Sequence, residues 1–389
     1  MSVRRLRILS YTTLFPSPAR PMRGLFVARR LAQIGRSEDV TVVAPVPLGL
    51  EPKDDANAAP AFDGIRVIHP RYWLPPGWAQ PWHDRLLYAQ TRSSVRSLGA
   101  GAFDLVDAQY AYPDGSAARM LAERLGKPYV LTVRGSDLHV LASDPSRRRS
   151  IRETLHRAAA VVAVSRPLAR LAEELGTDPS RVHWIPNGVD RTEFHPRSRS
   201  EARRTLGWDL GRPSVLFVGR LDPIKGVRLL LESIEELRRA GLPDVACYLA
   251  GDGPLRGEVG RRVAERGLER TVILLGPVRP DRLALCYAAA DLLCLPSVSE
   301  GSPNVVLESL ATGTPVVAAD VGDVAELLEG AAGGAVVRER TAPGFAEGMR
   351  SVLARSWNPE TTAAIVASRG WDRVAAAQID VYRSVLGAA

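Results

Sequence analysis

Short apolar runs rich in β-branched residues alternate along this chain with amphipathic segments of helical period. The runs include DVTVVAP (39–45), KPYVLTV (127–133), SVLFVG (214–219), VACYLAG (245–251), TVILLG (271–276), DLLCLP (291–296) and TPVVAA (314–319). Runs apolar at successive positions fit strands covered on both faces, as in a parallel sheet. Helices between such strands predict a doubly wound α/β topology. The alternation pauses once, after WIPNGVD (184–190), in a polar, basic stretch without a strand. A fresh strand starts at Ser214, so two domains are expected, 1–195 and 205–370. A length of 389 residues suits two cores. The second half is the more regular, repeating strand, loop and helix about six times.

Composition changes this picture little. Apolar residues make up 46% and charged residues 24%, as in soluble globular proteins. The net charge is +8, carried almost wholly by arginine; lysine occurs only at Lys53, Lys127 and Lys225. A biased use of arginine explains this, and attraction to an anionic partner is the functional alternative. Zinc-knuckle spacing and basic stretches interleaved with stacking aromatics are missing, which argues against nucleic acid. Cys247, Cys286 and Cys294 form no CxxC pair and read as small buried hydrophobes in a reducing compartment. The opening MSVRRLRILSYTTLF has an apolar stretch broken by Ser10, Thr12 and Thr13, so a buried strand fits better than a leader. No run of about 20 apolar residues is present to span a bilayer. A cytoplasmic protein is expected.

Two segments carry candidate chemistry. In GRLDPIKG (219–226), between a strand and the helical pattern VRLLLESIEEL, Arg220 and Lys225 place two cations near a helix start. There the macrodipole and free N–H groups already favour an anion, which suits a diphosphate. A surface loop with two solvated cations is the plain alternative. In SVSEGSPNVVLESLATGTPVV (297–317), Glu300 and Gly301 lie in a loop, Ser302 suits an N-cap and Pro303 the first helical position. Val306, Leu307, Leu310 and Ala311 form an apolar face; Asn304 and Glu308 fall on the polar side. Glu308 can accept hydrogen bonds from a ribose. Spacing alone equally describes an ordinary amphipathic helix with an exposed Glu308. AGDGPLRG (250–257) is G-x-G-x-x-x-G, one residue too long for a dinucleotide fingerprint.

Taken in order, these segments resemble the retaining glycosyltransferases of family 4, of GT-B fold. The Glu–seven residues–Glu motif of that family stands here as Glu300 to Glu308. ATGTPVVAADVG, Glu326, GRLDPIKG, AGDGPLRGEV and IPNGVDRTEFHP are similar as well. The resemblance implies two Rossmann-like doubly wound domains facing a central cleft. The acceptor would lie on the first domain, and 371–389 would pack back on it. It implies that Arg220 and Lys225 bind the donor diphosphate and Glu308 the ribose hydroxyls. Glu300 and the amides after it, at Gly301, Ser302, Asn304 and Val305, would contact the transferred sugar. LTVRGSDLHV (131–140) resembles an H-G-x-D segment with Gly135 and Asp137 matched, but Arg134 stands where histidine is common. Arg134 could hold the departing phosphate or an acidic acceptor, or form an ion pair with Asp137. Arg23 and Gly24, at a helix start, could approach a phosphate or the acceptor.

The resemblance implies retention by front-side attack, with a UDP- or GDP-linked sugar as co-substrate and no other cofactor. The chain has no D-x-D pair, so fixed cations and a helix N-terminus are expected to replace a metal by electrostatic preorganisation. RYWLPPGWAQPWHDR (71–85) gathers Trp73, Trp78 and Trp82. It reads as a loop packed on its own domain or lining a sugar groove. The other reading is a peripheral contact with the inner face of a membrane, suited to a lipid-linked glycan acceptor. Two other functions share these features: a GT-B nucleotide-sugar epimerase, and a catalytically silent nucleotide-sugar binder, to which Arg134 points.

Overall fold

The computed structural model describes residues 4–49, 62–75, 80–99, 101–330 and 332–387. They belong to two compact units, Met1–Gly188 with Trp371–Ala389, and Val189–Gly370. In the first, the strands are β1 (Arg7–Tyr11), β2 (Asp39–Val43), β3 (Val46–Pro47), β4 (Ile65–Ile68), β5 (Arg71–Tyr72), β6 (Leu105–Gln109), β7 (Tyr129–Val133), β8 (Ala160–Ala163) and β9 (Val182–Trp184). Seven of them form a parallel sheet in the order β4-β2-β1-β6-β7-β8-β9, and β3 pairs separately with β5. The order reverses beside β1, where Ile8 lies opposite Val40 on one side and Leu105 on the other. Loops at the carboxyl ends of β1 and β6 therefore flank a crevice of the kind that binds ligands in such sheets.

Alternate residues of β1 feed two cores. Leu9 and Tyr11 pack with Val106 and Leu131 on one face, Ile8 with Val27, Leu31 and Ile34 on the other. That explains the unbroken apolar run, because neither face meets water. Helix Trp371–Val385 closes the second of these cores with Trp371, Val374 and Tyr382. Glu38 anchors it further, accepting from Arg383 at 2.8 Å.

The second unit holds β10 (Ser214–Val218), β11 (Ala246–Ala250), β12 (Val272–Gly276), β13 (Leu292–Leu295), β14 (Val316–Ala319) and β15 (Gly334–Val337). They form one parallel sheet in the order β12-β11-β10-β13-β14-β15. Leu216 and Val218 pack to one side of it, Val215 and Phe217 to the other. Removing a fully buried side chain such as Phe217 costs about 3–5 kcal/mol. The polar stretch after 190, expected to separate the domains, enters this unit from Val189 onward. Val189 N–H donates to the Arg369 carbonyl at 2.8 Å, Phe194 meets Tyr287 edge-on at 5.9 Å, and Ala202 joins the core. Three apolar residues spaced among arginines thus place the boundary at 188 rather than 195.

Candidate active site

The loop from Gly219 to Gly226 leaves the carboxyl end of β10. Its backbone is tied to the loop after β11: Gly219 N–H donates to Ala250 O at 3.0 Å and Leu221 N–H to Asp252 O at 3.0 Å. Gly226 takes φ +73° immediately before helix Val227–Arg239, and a Cβ there would stand 2.1 Å from the Pro296 carbonyl. Only glycine permits both. This close approach brings the loop against the one that follows β13, where Val298 N–H donates to Ile224 O at 2.7 Å. Lys225 and Glu300 consequently meet, with Nζ 2.7 and 2.9 Å from the two carboxylate oxygens. Ser297 Oγ donates to the same carboxylate at 2.7 Å. Lys225 keeps 28% of its side chain exposed and Glu300 10%, so the pair is shielded but reachable. Arg220 points outward with 68% exposure and a loose 3.4 Å contact to Asp222.

Helix Asn304–Ala311 begins beside Glu300. Here the structure corrects the cap. Pro303, not Ser302, is the N-cap residue. The Ser302 hydroxyl donates instead to Asp323 at 3.1 Å, and Arg369 donates to the same oxygen of Asp323 at 2.8 Å. Gly322 lets that network approach, since a Cβ there would lie 2.4 Å from Gly301 O. Along the helix, Asn304, Val305 and Glu308 remain partly exposed while Val306, Leu307 and Leu310 are buried. Glu308 accepts from the hydroxyl of the buried Tyr287 at 2.9 Å, which fixes its carboxylate. The buried Asn304 Oδ1 has no hydrogen-bond partner among the described residues. The first-turn N–H groups of any helix lack intrahelical acceptors, so this end can receive an anion or hydroxyls.

In the first unit, Arg134 follows β7 and is 8% exposed. The ion pair with Asp137 is replaced by a different arrangement. Asp137 accepts from the backbone amides of Ala111 (3.0 Å), Gly135 (2.8 Å) and Arg134 (3.1 Å), and so holds the turn. The guanidinium reaches away to Gln109 and to Asn187, the latter at 3.5 Å, and lies 5.1 Å from the centre of the Phe26 ring. Arg30, fully buried, donates to Pro186 O at 2.8 Å, to Gln378 at 3.1 Å and to Asn187 at 3.4 Å. Burial, then repulsion from Arg30, pulls Arg134 down to about 9, so it is still a cation at neutral pH. Gly24, at φ +65°, precedes helix Leu25–Gly35; a Cβ there would sit 2.2 Å from Leu14 O. Arg23 is exposed and donates to Thr13 O at 3.1 Å.

Among the described residues, no group of three or more His, Cys, Asp or Glu side chains gathers as metal ligands. The three cysteines are buried, and burial raises the thiol pKa of each.

Comparison with known proteins settles the family. Residues 14–193 match the model of Glycosyltransferase Family 4, and 212–355 that of Glycosyl transferases group 1. A putative teichuronic acid biosynthesis glycosyltransferase, TuaC of Bacillus subtilis (strain 168), is 31% identical over 374 residues, covering 91% of each chain. This chain belongs to the family 4, group 1 glycosyltransferases. A D-inositol 3-phosphate glycosyltransferase of Nocardia farcinica is 33% identical over 282 residues, 67% of this chain and 61% of that one. Sucrose-phosphate synthase from Thermosynechococcus elongatus has the same fold, with a TM-score of 0.82 over 99% and 100% of the two chains at 20% identity. Anabaena HepE, solved with UDP and glucose, superposes with a TM-score of 0.70 over 98% of each chain, also at 20% identity. The fold is thus GT-B, with two Rossmann-like domains, and the glycosyltransferase is an enzyme that transfers sugars.

Sequence reasoning missed four residues of the glycosyltransferase that the structure brings forward. Tyr287 holds Glu308 but sits in an apolar run that gives no sign of it. Asp323 ties Ser302 to Arg369, and only its place after ADVG hinted at a loop. Asn187, in IPNGVD, joins the two buried arginines. Asp114 was hidden in the turn-like PDG. It is fully buried and accepts from Thr13 N–H at 2.7 Å and Thr13 Oγ1 at 2.9 Å. Burial pushes it up to about 7.

Proposed function

We propose that this glycosyltransferase moves a sugar from a UDP- or GDP-linked donor to a glycan or lipid-linked glycan acceptor, with retention and without a metal. The observation that carries the reading is the junction of Lys225, Glu300 and the start of helix Asn304–Ala311 at the carboxyl ends of β10 and β13. Lys225 and Arg220 would bind the donor diphosphate. Developing negative charge on the leaving group would be met by these cations and by helical N–H groups fixed before the reaction. Glu308, oriented by Tyr287, would accept from the ribose hydroxyls. Glu300 and the amides from Gly301 to Val305 would hold the transferred sugar, with Asn304 Oδ1 a spare acceptor for one of its hydroxyls. In front-side transfer the leaving phosphate takes the acceptor proton, so no protein nucleophile is needed.

The acceptor is assigned to the first unit, near the loops carrying Gly24, Arg134 and Asp137. Within that assignment Asp137 shapes the turn and Arg134 supplies charge through a buried network. The relatives named for teichuronic acid and inositol 3-phosphate support acidic or phosphorylated acceptors in general. No helix among the described residues is long and apolar enough to cross a membrane. A peripheral contact at the inner membrane face is nonetheless supported by exposed apolar side chains. Trp73 (57%), Trp82 (49%) and Leu48 (50%) are all exposed, and Leu48 N–H is bonded to Tyr72 O at 2.7 Å. Trp78 lies outside the described residues.

The deciding experiment is a thermal-shift screen against UDP-, GDP- and ADP-sugars, followed by transfer assays with the donor that binds. A ligand at a hundred times its Kd stabilises by about 2.7 kcal/mol, a readily measured shift. If none of the three classes raises Tm, the donor-site assignment fails.

A further inference from the structure

The second unit carries a cavity of about 730 Å³ at the amino-terminal edge of its sheet, the edge opposite Arg220, Lys225 and Glu300. Pro213, before β10, and Asp291, before β13, line it, together with Leu242 and the segment 352–357. Its size lies within the roughly 300–1,000 Å³ typical of small-molecule sites. Its charged lining is one-sided: Arg199, Arg203, Arg212, Arg350 and Arg355 against the single carboxylate of Asp291.

These arginines divide into two kinds. Arg203 and Arg212 are structural. Arg203 is buried and donates to Ala289 O, Leu210 O, Ser214 Oγ and Asp291 at 2.7–2.9 Å. Arg212 donates to Asp244 O at 2.5 Å, to Arg270 O at 2.7 Å and to Val245 O at 3.2 Å. Carbonyls satisfy its hydrogen bonds without cancelling its charge. The other kind is available. Arg199 is 42% exposed and shares Asp291 with Arg203. Arg350 is 51% exposed and pairs with Glu347 on its own helix, a weak link in water. Arg355 is exposed, and among the described residues no carboxylate forms an ion pair with it.

Five guanidiniums meet two carboxylates, Asp291 and Glu347. The carboxyl ends of helices Val227–Arg239 and Ala342–Leu353 face this edge and together contribute about one negative charge. A positive excess remains. Apart from Ser356, the other side chains of the lining are apolar or aromatic, among them Leu210, 55% exposed, and the half-buried Trp357, whose indole N–H is spent on Val352 O at 2.8 Å. With its polar atom occupied, the indole offers only ring surface. Guanidiniums that match carboxylate or phosphate, beside an aromatic surface, suit the charged group and the C–H faces of an acidic sugar.

We propose that this cavity is a secondary binding site for an anionic glycan, carboxylated or phosphorylated. Such a site, remote from the donor loops on the same unit, retains a growing acidic chain and raises its effective concentration near the enzyme. This goes beyond the donor-site reading and does not depend on it; only the retention of a growing chain rests on the proposed glycan acceptor.

The test is titration calorimetry on the full chain with three probes: a tetrasaccharide alternating glucuronate with N-acetylglucosamine, a neutral tetrasaccharide, and inorganic phosphate. The acidic tetrasaccharide should bind at least about tenfold more tightly than either of the others. Arg355→Glu should weaken it at least about tenfold, while Arg355 itself lies outside the donor machinery, so transfer to a short acceptor should be unchanged. Glu308→Ala should leave this binding intact. Equal binding of the neutral sugar would overturn the role of the arginines, and equal binding of phosphate would overturn the glycan class. Absence of binding, or loss in Glu308→Ala but not in Arg355→Glu, would overturn the site.

Discussion

Lys225 Nζ stands 2.7 and 2.9 Å from the two carboxylate oxygens of Glu300, a residue 75 positions further along the chain. The pairing has a consequence for binding. If Lys225 binds a diphosphate as proposed, that group would compete with Glu300 for the ammonium, which Glu300 holds in line. Because the pair is part-buried, the attraction is stronger than between solvated charges, and each partner depends on the other.

Lys225→Ala should therefore lower kcat/KM by roughly 10²–10³, the usual cost of removing one preorganised donor at a developing charge. Lys225→Arg should restore little, because a planar guanidinium does not fit where a compact ammonium sits between Glu300 and a phosphate. Circular dichroism should show the fold of both variants unchanged. Activity of Lys225→Ala within about threefold of the parent would remove Lys225 from the donor site.

Glu308 accepts from the Tyr287 hydroxyl at 2.9 Å and stays partly exposed, so a ligand can reach its carboxylate. If that ligand is a ribose, the parent should discriminate against a 2′-deoxyribose donor and Glu308→Ala should not. The expected loss is about 1.5–3 kcal/mol, as for a hydrogen bond to a charged group. Tyr287→Phe should raise the donor KM by a smaller factor with kcat nearly kept. Undiminished discrimination in Glu308→Ala would place the ribose elsewhere.

These two pairs show what a single sequence conveys. Parallel strands buried on both faces announce themselves as unbroken apolar runs, so most of the second sheet was legible, while in the first only β1, β2 and β7 stood out. The loops at the strand ends were legible too, because Gly226 and Gly301 break the pattern beside charged residues. Side-chain partnerships across the sheet were not. Nothing local distinguishes Tyr287 from a core tyrosine, since its hydroxyl partner arrives from another helix. Ser302 looked like a cap because capping is a local property, whereas its hydroxyl donates to Asp323, 21 residues away. Asp137 failed as an ion-pair partner for a related reason: two backbone amides of its own turn, with that of Ala111 from 26 residues away, take up its oxygens in place of a guanidinium.

If Lys225 and Arg220 meet the leaving group as proposed, turnover needs no divalent ion. The proposed enzyme should keep its full rate after dialysis against EDTA, and added Mg²⁺ should change kcat by less than about twofold. That bound follows from the several kcal/mol a Lewis-acid metal supplies where it is required. Loss of activity in EDTA, restored by Mg²⁺, would show that Lys225 and Arg220 do not suffice for the leaving group.

Asp114 makes a pH prediction of unusual sign. Its folded pKa is about 7 because burial outweighs the hydrogen bonds from Thr13 and Thr12, while the ordinary value is 3.8. Between these values the folded state holds a proton that the unfolded chain has lost. Its contribution to stability therefore falls as pH rises from about 4 to about 7, and is constant above. Asp114→Asn removes the titration. The stability of the variant relative to the parent should increase across that window in urea titrations and level off above pH 7. A relative stability independent of pH would mean that Asp114 is ionised throughout.

The exposed tryptophans set the last prediction. Trp73 is exposed although its backbone is fixed, its N–H donating to Gln90 at 2.8 Å and its carbonyl accepting from the same amide at 2.9 Å. A rigid backbone presenting an indole to water is a costly arrangement unless something covers it. Arg20 and Arg23, both exposed, line a small pocket with Tyr72, the neighbour of Trp73. Indoles beside guanidiniums suit the headgroup region of an anionic bilayer. Flotation with vesicles containing phosphatidylserine should carry the protein at low salt, and less of it at 0.15 M, where the Debye length is about 8 Å. Replacing Arg20 and Arg23 with alanine should weaken binding roughly 30-fold, at about 1 kcal/mol for each cation near the surface. Trp73→Ala should weaken it at both salt concentrations, because its contribution is apolar and not screened. Neutral vesicles should bind little. If anionic vesicles bind no better than neutral ones, or if the arginine and tryptophan variants float like the parent, the exposed indoles face an acceptor and not a membrane.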